Sequence, residues 1–224
     1  MFRFKRKILW LIIALGTVII GLALWWLMSS GNNIYKTYSL NDFPTVKDKE
    51  GYQQIVDGLN QDVKQLQQKT LTDGLAYDLW NDMGVRKLAL QDYGGAEQAW
   101  QKAMSINPKN PLAIANLANL YKSFLKDYPQ AEKYYLQAIG LNVTAEPYFP
   151  DYEGLADLYI NFWSEQKAKV EPLMLAALDK AYEQTNRVRF YRYLANFFRE
   201  TDEAKYQQYR ADAIKLNPSL KDEL

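Results

Sequence analysis

Three hydrophobic patterns follow one another along this chain. From Ile8 to Met28 runs an uncharged stretch of 21 residues, broken only by glycines and Thr17. Over residues 51–70 the apolar positions Tyr52, Ile55, Val56, Leu59, Val63 and Leu66 recur every three or four residues. Gln53, Gln54, Asp57, Gln61, Asp62, Lys64, Gln65 and Gln67 occupy the opposite side. That spacing predicts an amphipathic helix ending near Gln68. Beyond residue 72 the helical period continues as paired apolar stripes separated by short polar turns, and the pairs repeat.

The repeat is plainest from Trp80 to Pro108. Trp80, Met83, Gly84 and Lys87 are followed by Tyr93, Ala96, Trp100, Ala103 and Pro108. Trp80 and Met83 fall on the inner face of a first helix, and Gly84 leaves room for a second to approach. Ala96 and Ala103 are the small residues at that crossing, Trp100 fills the space between the helices, and Pro108 stops the second one. Ile114, Leu117 and Tyr121 stand 34 residues after Trp80, Met83 and Lys87. Ala131, Tyr135 and Ala138 stand 35 after Ala96, Trp100 and Ala103, so the turn between has gained one residue. A third copy reads Tyr152, Leu155, Ala156 and Tyr159, then Met174, Leu178 and Ala181, with extra residues near 164–171 between its helices. A fourth begins Tyr191, Leu194, Ala195 and Phe198.

Over residues 72–218 this pattern resembles the tetratricopeptide repeat family. The resemblance implies an all-α fold, a solenoid of about four helical hairpins, which here would follow one N-terminal transmembrane helix read from the apolar run 8–28. One hairpin cannot bury its apolar stripe alone, whereas stacked hairpins bury a continuous one. The helix over 51–70 would then cover the exposed end of the first repeat, or pair with another copy of itself.

The resemblance also implies a concave groove, lined by the first helices, that holds a peptide or partner helix. With repeats beginning at Tyr77, Pro111, Phe149 and Val188, the groove-facing side chains include Asn81, Asn116, Asn119, Asp157, Arg189, Arg192, Asn196 and Arg199. Asn116 and Asn119 can each offer a donor and an acceptor to a passing backbone. Arg189, Arg192, Asn196 and Arg199 share one helix face and form a basic wall. Asp78, Asp82, Glu153 and Asp157 make the other end acidic, so the groove could orient its ligand. The competing reading is a solvated face or salt bridges between repeats. Some members of the family clamp a terminal carboxylate with basic residues and asparagines. Only Asn116 matches that set here, so that ligand is not expected.

The uncharged run is about 31 Å long as a helix, enough to cross a bilayer core of about 30 Å. Trp10 at one end and Trp25 with Trp26 at the other suit the two membrane interfaces. Arg3, Lys5, Arg6 and Lys7 precede the run, and the first twenty residues after it hold only Lys36 and Lys47. This bias places a basic tip (1–7) in the cytoplasm and the repeats across the membrane, after a linker over 29–50. Two other readings exist: a cleavable signal peptide with Ser29-Ser30-Gly31 as its exit, and a buried helix of a globular domain.

Composition narrows the chemistry. The chain has neither cysteine nor histidine, which removes disulfides, thiolate nucleophiles, imidazole bases and the usual soft-metal ligands. Its formal charge is +1, and without the four basic residues of the tip the remainder is slightly acidic, unlike a nucleic-acid-binding surface. No phosphate loop, nucleophile elbow or metal-ligand cluster appears, so no catalytic residue, metal or cofactor is expected. Asp151 with Glu153 and Asp222 with Glu223 are carboxylate pairs that read as solvated surface.

The expected protein is therefore a membrane-tethered adaptor that holds a protein or peptide partner outside the cytoplasm, in assembly or quality control of an envelope complex. Structural self-association into a homo-oligomer is the alternative role. A bacterial-type envelope is the preferred compartment. The Lys-Asp-Glu-Leu of residues 221–224 and the sequon at Asn142 keep open a co-chaperone of the endoplasmic-reticulum lumen.

Overall fold

The computed structural model describes residues 36–46, 49–141 and 146–223. The basic tip, the apolar run 8–28 with Trp10, Trp25 and Trp26, and the sequon at Asn142 lie outside them. Among the described residues all regular structure is helical. No helix there is long and apolar enough to cross a membrane. The chain divides into two units, residues 1–72 and 73–224.

In the first unit, α1 (Lys49–Leu66) carries the amphipathic face expected over 51–70. Val56, Leu59, Val63 and Leu66 are buried. Part of the stretch expected to be a linker is folded onto this helix. The Asn60 side chain clasps the Tyr38 backbone from both sides, its Oδ1 accepting from Tyr38 N at 2.7 Å and its Nδ2 donating to Tyr38 O at 2.9 Å. Tyr38 stacks on Phe43 at 5.8 Å, and both are buried with Val46. The turn-rich residues around Pro44 form a 3₁₀ turn, Leu40–Asp42, and its capping box. Polar composition concealed the aromatic pair.

The second unit is a run of eight helices: α2 (Asp73–Ala89), α3 (Tyr93–Ile106), α4 (Pro111–Leu120), α5 (Tyr128–Leu141), α6 (Phe149–Asp157), α7 (Val170–Lys180), α8 (Gln184–Phe198) and α9 (Glu203–Leu216). Each packs on its neighbours in the chain. Equivalent apolar positions of the copies are buried: Met83, Leu117, Leu155 and Leu194, and then the small residues Gly84, Ala118, Ala156 and Ala195. A Cβ on Gly84 would sit 2.4 Å from Trp100 Nε1. That ring lies against the glycine and donates to the Asn81 carbonyl at 3.1 Å. The close crossing thus needs a residue without a side chain at 84.

The turns explain the unequal copy lengths. In the first hairpin Gln91 takes a left-handed conformation (φ 60°), and Asp92 caps α3 by accepting from Gly95 N at 2.9 Å. In the second the added residue widens the end of the first helix instead of lengthening a loop. Tyr121–Leu125 is π-helical, and Lys126 (φ 56°) is left-handed where Gln91 was. The third repeats the device at Leu158–Phe162. Its further insertion forms a 3₁₀ turn, Ser164–Lys169, before α7.

The hairpins are also joined by polar bonds in a recurring register. The hydroxyl of Tyr121 donates to Glu97, and that of Tyr159 donates to Glu132. In each case a tyrosine near the end of one copy's first helix reaches the glutamate that follows the small residue, Ala96 or Ala131, in the preceding copy. Lys169, at the end of the insertion, bonds the same Glu132 at 2.6 Å, so the insertion is tied to the hairpin before it. An aromatic seam joins the last two copies, with Tyr152 edge-on to Phe190 at 5.5 Å. After α9 a 3₁₀ turn, Pro218–Asp222, buries Leu220 with Val188 and Ala213. Arg210 donates to the Lys221 carbonyl at 3.0 Å, which folds the start of the Lys-Asp-Glu-Leu ending onto the last hairpin.

Candidate functional site

Two first helices carry their polar residues on a common side. Helix α4 starts cleanly, with Asn110 capping Leu112 N at 3.0 Å and Pro111 in its first turn. It buries Ala113, Ile114, Leu117, Ala118 and Leu120. The other stripe, Leu112, Ala115, Asn116 and Asn119, has the same helical spacing and faces an open recess of about 600 Å³. Tyr135 of α5 and Tyr148, Pro150, Asp151 and Gly154 around the start of α6 complete its wall, with Glu146. Next to it, sharing Pro150 and Gly154, a second recess of about 380 Å³ is lined by Lys122, Glu153, Asp157 and Tyr193.

The wall is held by bonds both between hairpins and within them. Asn116 Nδ2 donates to Asn81 Oδ1 at 3.0 Å, and Tyr135 donates its hydroxyl proton to Asn119 Oδ1 at 2.6 Å. Gly154 makes the second bond possible, because a Cβ there would stand 2.6 Å from the Tyr135 ring. Lys122 pairs with Asp157 at 2.6 Å, and Asn161 Nδ2 donates to the same carboxylate at 2.7 Å. Burial raises the Asp157 pKa, but those two partners outweigh it and leave the carboxyl below its ordinary value. Glu146 accepts from Tyr182 N at 3.0 Å and from Asn186 Nδ2 at 3.1 Å, which fixes the stretch before α6 to the fourth hairpin.

Asp151 differs from every other carboxylate of the wall. It is 4 % exposed, and its Oδ2 is buried without a hydrogen-bond partner. Burial alone pushes its pKa up to about 6. The expectation that Asp151 and Glu153 are alike as solvated surface is therefore corrected: Glu153 is exposed and Asp151 is not. The sequence held a signal for this. Asp151, Leu155 and Leu158 fall at i, i+4 and i+7, which places the aspartate on the buried stripe of α6.

The residues expected to line a groove separate into three sets. Asn116, Asn119 and Asp157 come together around the two recesses. Asn81 does not face solvent: it is 7 % exposed and acts as a strut beneath Asn116. Arg189, Arg192 and Asn196 on α8 and Arg199 just after it are exposed but line neither recess, a place taken on that helix by Tyr193. Arg192 lies 3.8 Å from Glu223, and Arg199 lies over the Tyr206 ring at 5.7 Å. The inserted residues 164–169 line neither recess. Among the described residues no three acidic side chains gather where they could hold a metal ion.

Fold and site together define, among the described residues, an all-helical protein of packed hairpins with an open recess along its first helices whose only charged lining residues are the acids Glu146 and Asp151. No protein-family model matches the sequence, and no curated protein matches it.

Proposed function

We propose that this chain is a tetratricopeptide-type scaffold whose second to fourth hairpins hold an extended segment of a partner protein. The observation that carries this reading is the row formed by Asn116, Asn119, Pro150, Glu153, Gly154, Asp157 and Tyr193. These side chains come from the first helices of successive hairpins, and they line two adjoining openings. The sequence-level repeat, the small-residue crossings and the recurring tyrosine–glutamate links support a solenoid, whose inner face is the usual place for a ligand. The apolar run 8–28 would tether the chain to a membrane with the hairpins outside the cytoplasm, so that the partner is held near the bilayer. Self-association through α1 is the weaker reading, because the apolar face of that helix is already buried.

Ala115→Trp in the full-length chain tests the reading, since the indole would fill the larger recess from an exposed stripe. A partner captured by the wild type should be lost from the variant while helicity and melting stay the same. Equal capture by both proteins would refute the groove.

A further inference from the structure

Asp151 is a buried carboxyl whose Oδ2 has no hydrogen-bond partner among the described residues. It lies in the first turn of α6, its Oδ2 is unpaired, and it lines the 600 Å³ recess. None of the residues lining that recess is basic, and Glu146 adds a second acid. The lysine of the adjoining recess, Lys122, is bonded to Asp157. An unpaired carboxylate removed from water is costly, and fixed cations are what offset that cost. Oδ2 is itself shut off from water, but Asp151 lines the open recess, so a cation seated there is brought beside the carboxyl group.

The same wall is suited to a polypeptide. Asn116 spends an N–H on Asn81, and Asn119 spends its carbonyl oxygen on Tyr135. One amide keeps an acceptor and the other keeps donors, three residues apart on one helix face, the complement of a peptide unit's N–H and C=O. Leu112, Tyr148 and Pro150 supply apolar surface for the methylene stem of a long side chain. Exposed Glu153 lies in the adjoining recess and extends the negative field.

We propose that the recess between the second and third hairpins seats a lysine or arginine side chain of the partner's extended segment, with Asp151 as counter-ion and Asn116 and Asn119 holding its backbone. This rests on the groove reading above and adds the chemistry of its ligand. It also makes recognition pH-dependent. The titratable groups around Asp151 are Glu146 and Tyr148 of the same recess and the Tyr135 and Tyr152 hydroxyls, none of them cationic, while Lys122 of the adjoining recess is bonded to Asp157. The free carboxyl is pushed up to about 6 by burial, so binding strengthens as pH rises through that value.

The test uses the full-length chain in a nonionic detergent, titrated with acetyl-Ala-Ala-Arg-Ala-Ala-amide, with the same peptide carrying norleucine for arginine, and with butylammonium alone. The arginine peptide should bind at least tenfold tighter than the norleucine peptide at pH 7.5. Its Kd should weaken about tenfold at pH 5, where about nine in ten of the Asp151 carboxyls are protonated. Asp151→Asn should erase both differences while helicity is kept. Equal binding of the two peptides, a preference that survives Asp151→Asn, or a wild-type Kd indifferent to pH would each overturn the proposal. Butylammonium binding as tightly as the arginine peptide would overturn the peptide occupant in favour of a free amine. Failure of every probe while the recess-filling tryptophan still abolishes partner capture would sink this proposal alone. Failure of both experiments would remove the groove as well.

Discussion

Replacing Asp151 by asparagine changes one group and leaves the shape of the recess almost intact. The wild-type carboxyl has a folded pKa of about 6 against an ordinary value of 3.8. At about 1.4 kcal/mol per pH unit, that separation corresponds to ~3 kcal/mol. The sign follows from the raised value. The folded state holds a proton that the unfolded state has released between pH 3.8 and 6, so the contribution is fully present below 3.8 and is lost by about 6. The lowered carboxyls of Asp42, Glu132, Asp157 and Glu171 pull the other way, but they are common to both proteins and cancel in the difference. Urea unfolding followed by the fluorescence of Trp80, Trp100 and Trp163 gives that difference at each pH. Wild type minus variant should fall by ~3 kcal/mol between pH 3.8 and 6 and stay level above it. The variant should be the more stable protein at pH 7. A difference that does not change with pH would refute the unpaired buried carboxylate.

Three further outcomes are expected. Gly84→Ala should destabilise by ~1–3 kcal/mol through overpacking against Trp100, although alanine ordinarily stabilises a helix interior. A raised melting temperature would deny the close crossing. The partly buried Tyr121 and Tyr159 hydroxyls, bonded to Glu97 and Glu132, titrate above their ordinary value of 10, so stability present below pH 10 should drain away above it. Changing both to phenylalanine should cost about 1 kcal/mol each at pH 7 and reduce that alkaline loss, to which the raised Tyr135, Tyr193 and Tyr209 also contribute, and pH-jump unfolding would measure the reduction. Arg189→Glu with Arg192→Glu should leave stability within ~0.5 kcal/mol, because both side chains are exposed. Loss of partner capture in that variant would extend the ligand path along α8 to its basic face, and unchanged capture would end it at Tyr193 of the same helix.

The helical-hairpin pattern was legible because core contacts impose a period that survives in the sequence. Trp80, Gly84, Ala96 and Trp100 stated both the helix pair and its crossing. The one-residue slip between copies was legible too, but its form was not. A π-helical turn at Tyr121–Leu125 and a longer loop leave the same spacing, and only backbone hydrogen bonds distinguish them. At the site, Asn116, Asn119 and Asp157 were found through the repeat resemblance, whose groove positions recur with the period of the copies. Asn81 shares that period and is nevertheless buried, since the next hairpin covers it. Asp151 was missed by a rule of composition, that carboxylates are solvated, although its place on the stripe of Leu155 and Leu158 argued the reverse. The pairing of Tyr38 with Asn60 has no periodic signature and could not have been read.

The measurement closest to the central claim places a photo-cross-linking amino acid in the full-length chain, in cells, at Asn119 or Glu153. A control at Lys102 sits on α3 and lines neither recess. Positions 119 and 153 should give one shared adduct that is absent at 102, with the captured segment carrying a lysine or arginine. The same adduct from all three positions, or from 102 alone, would contradict that claim.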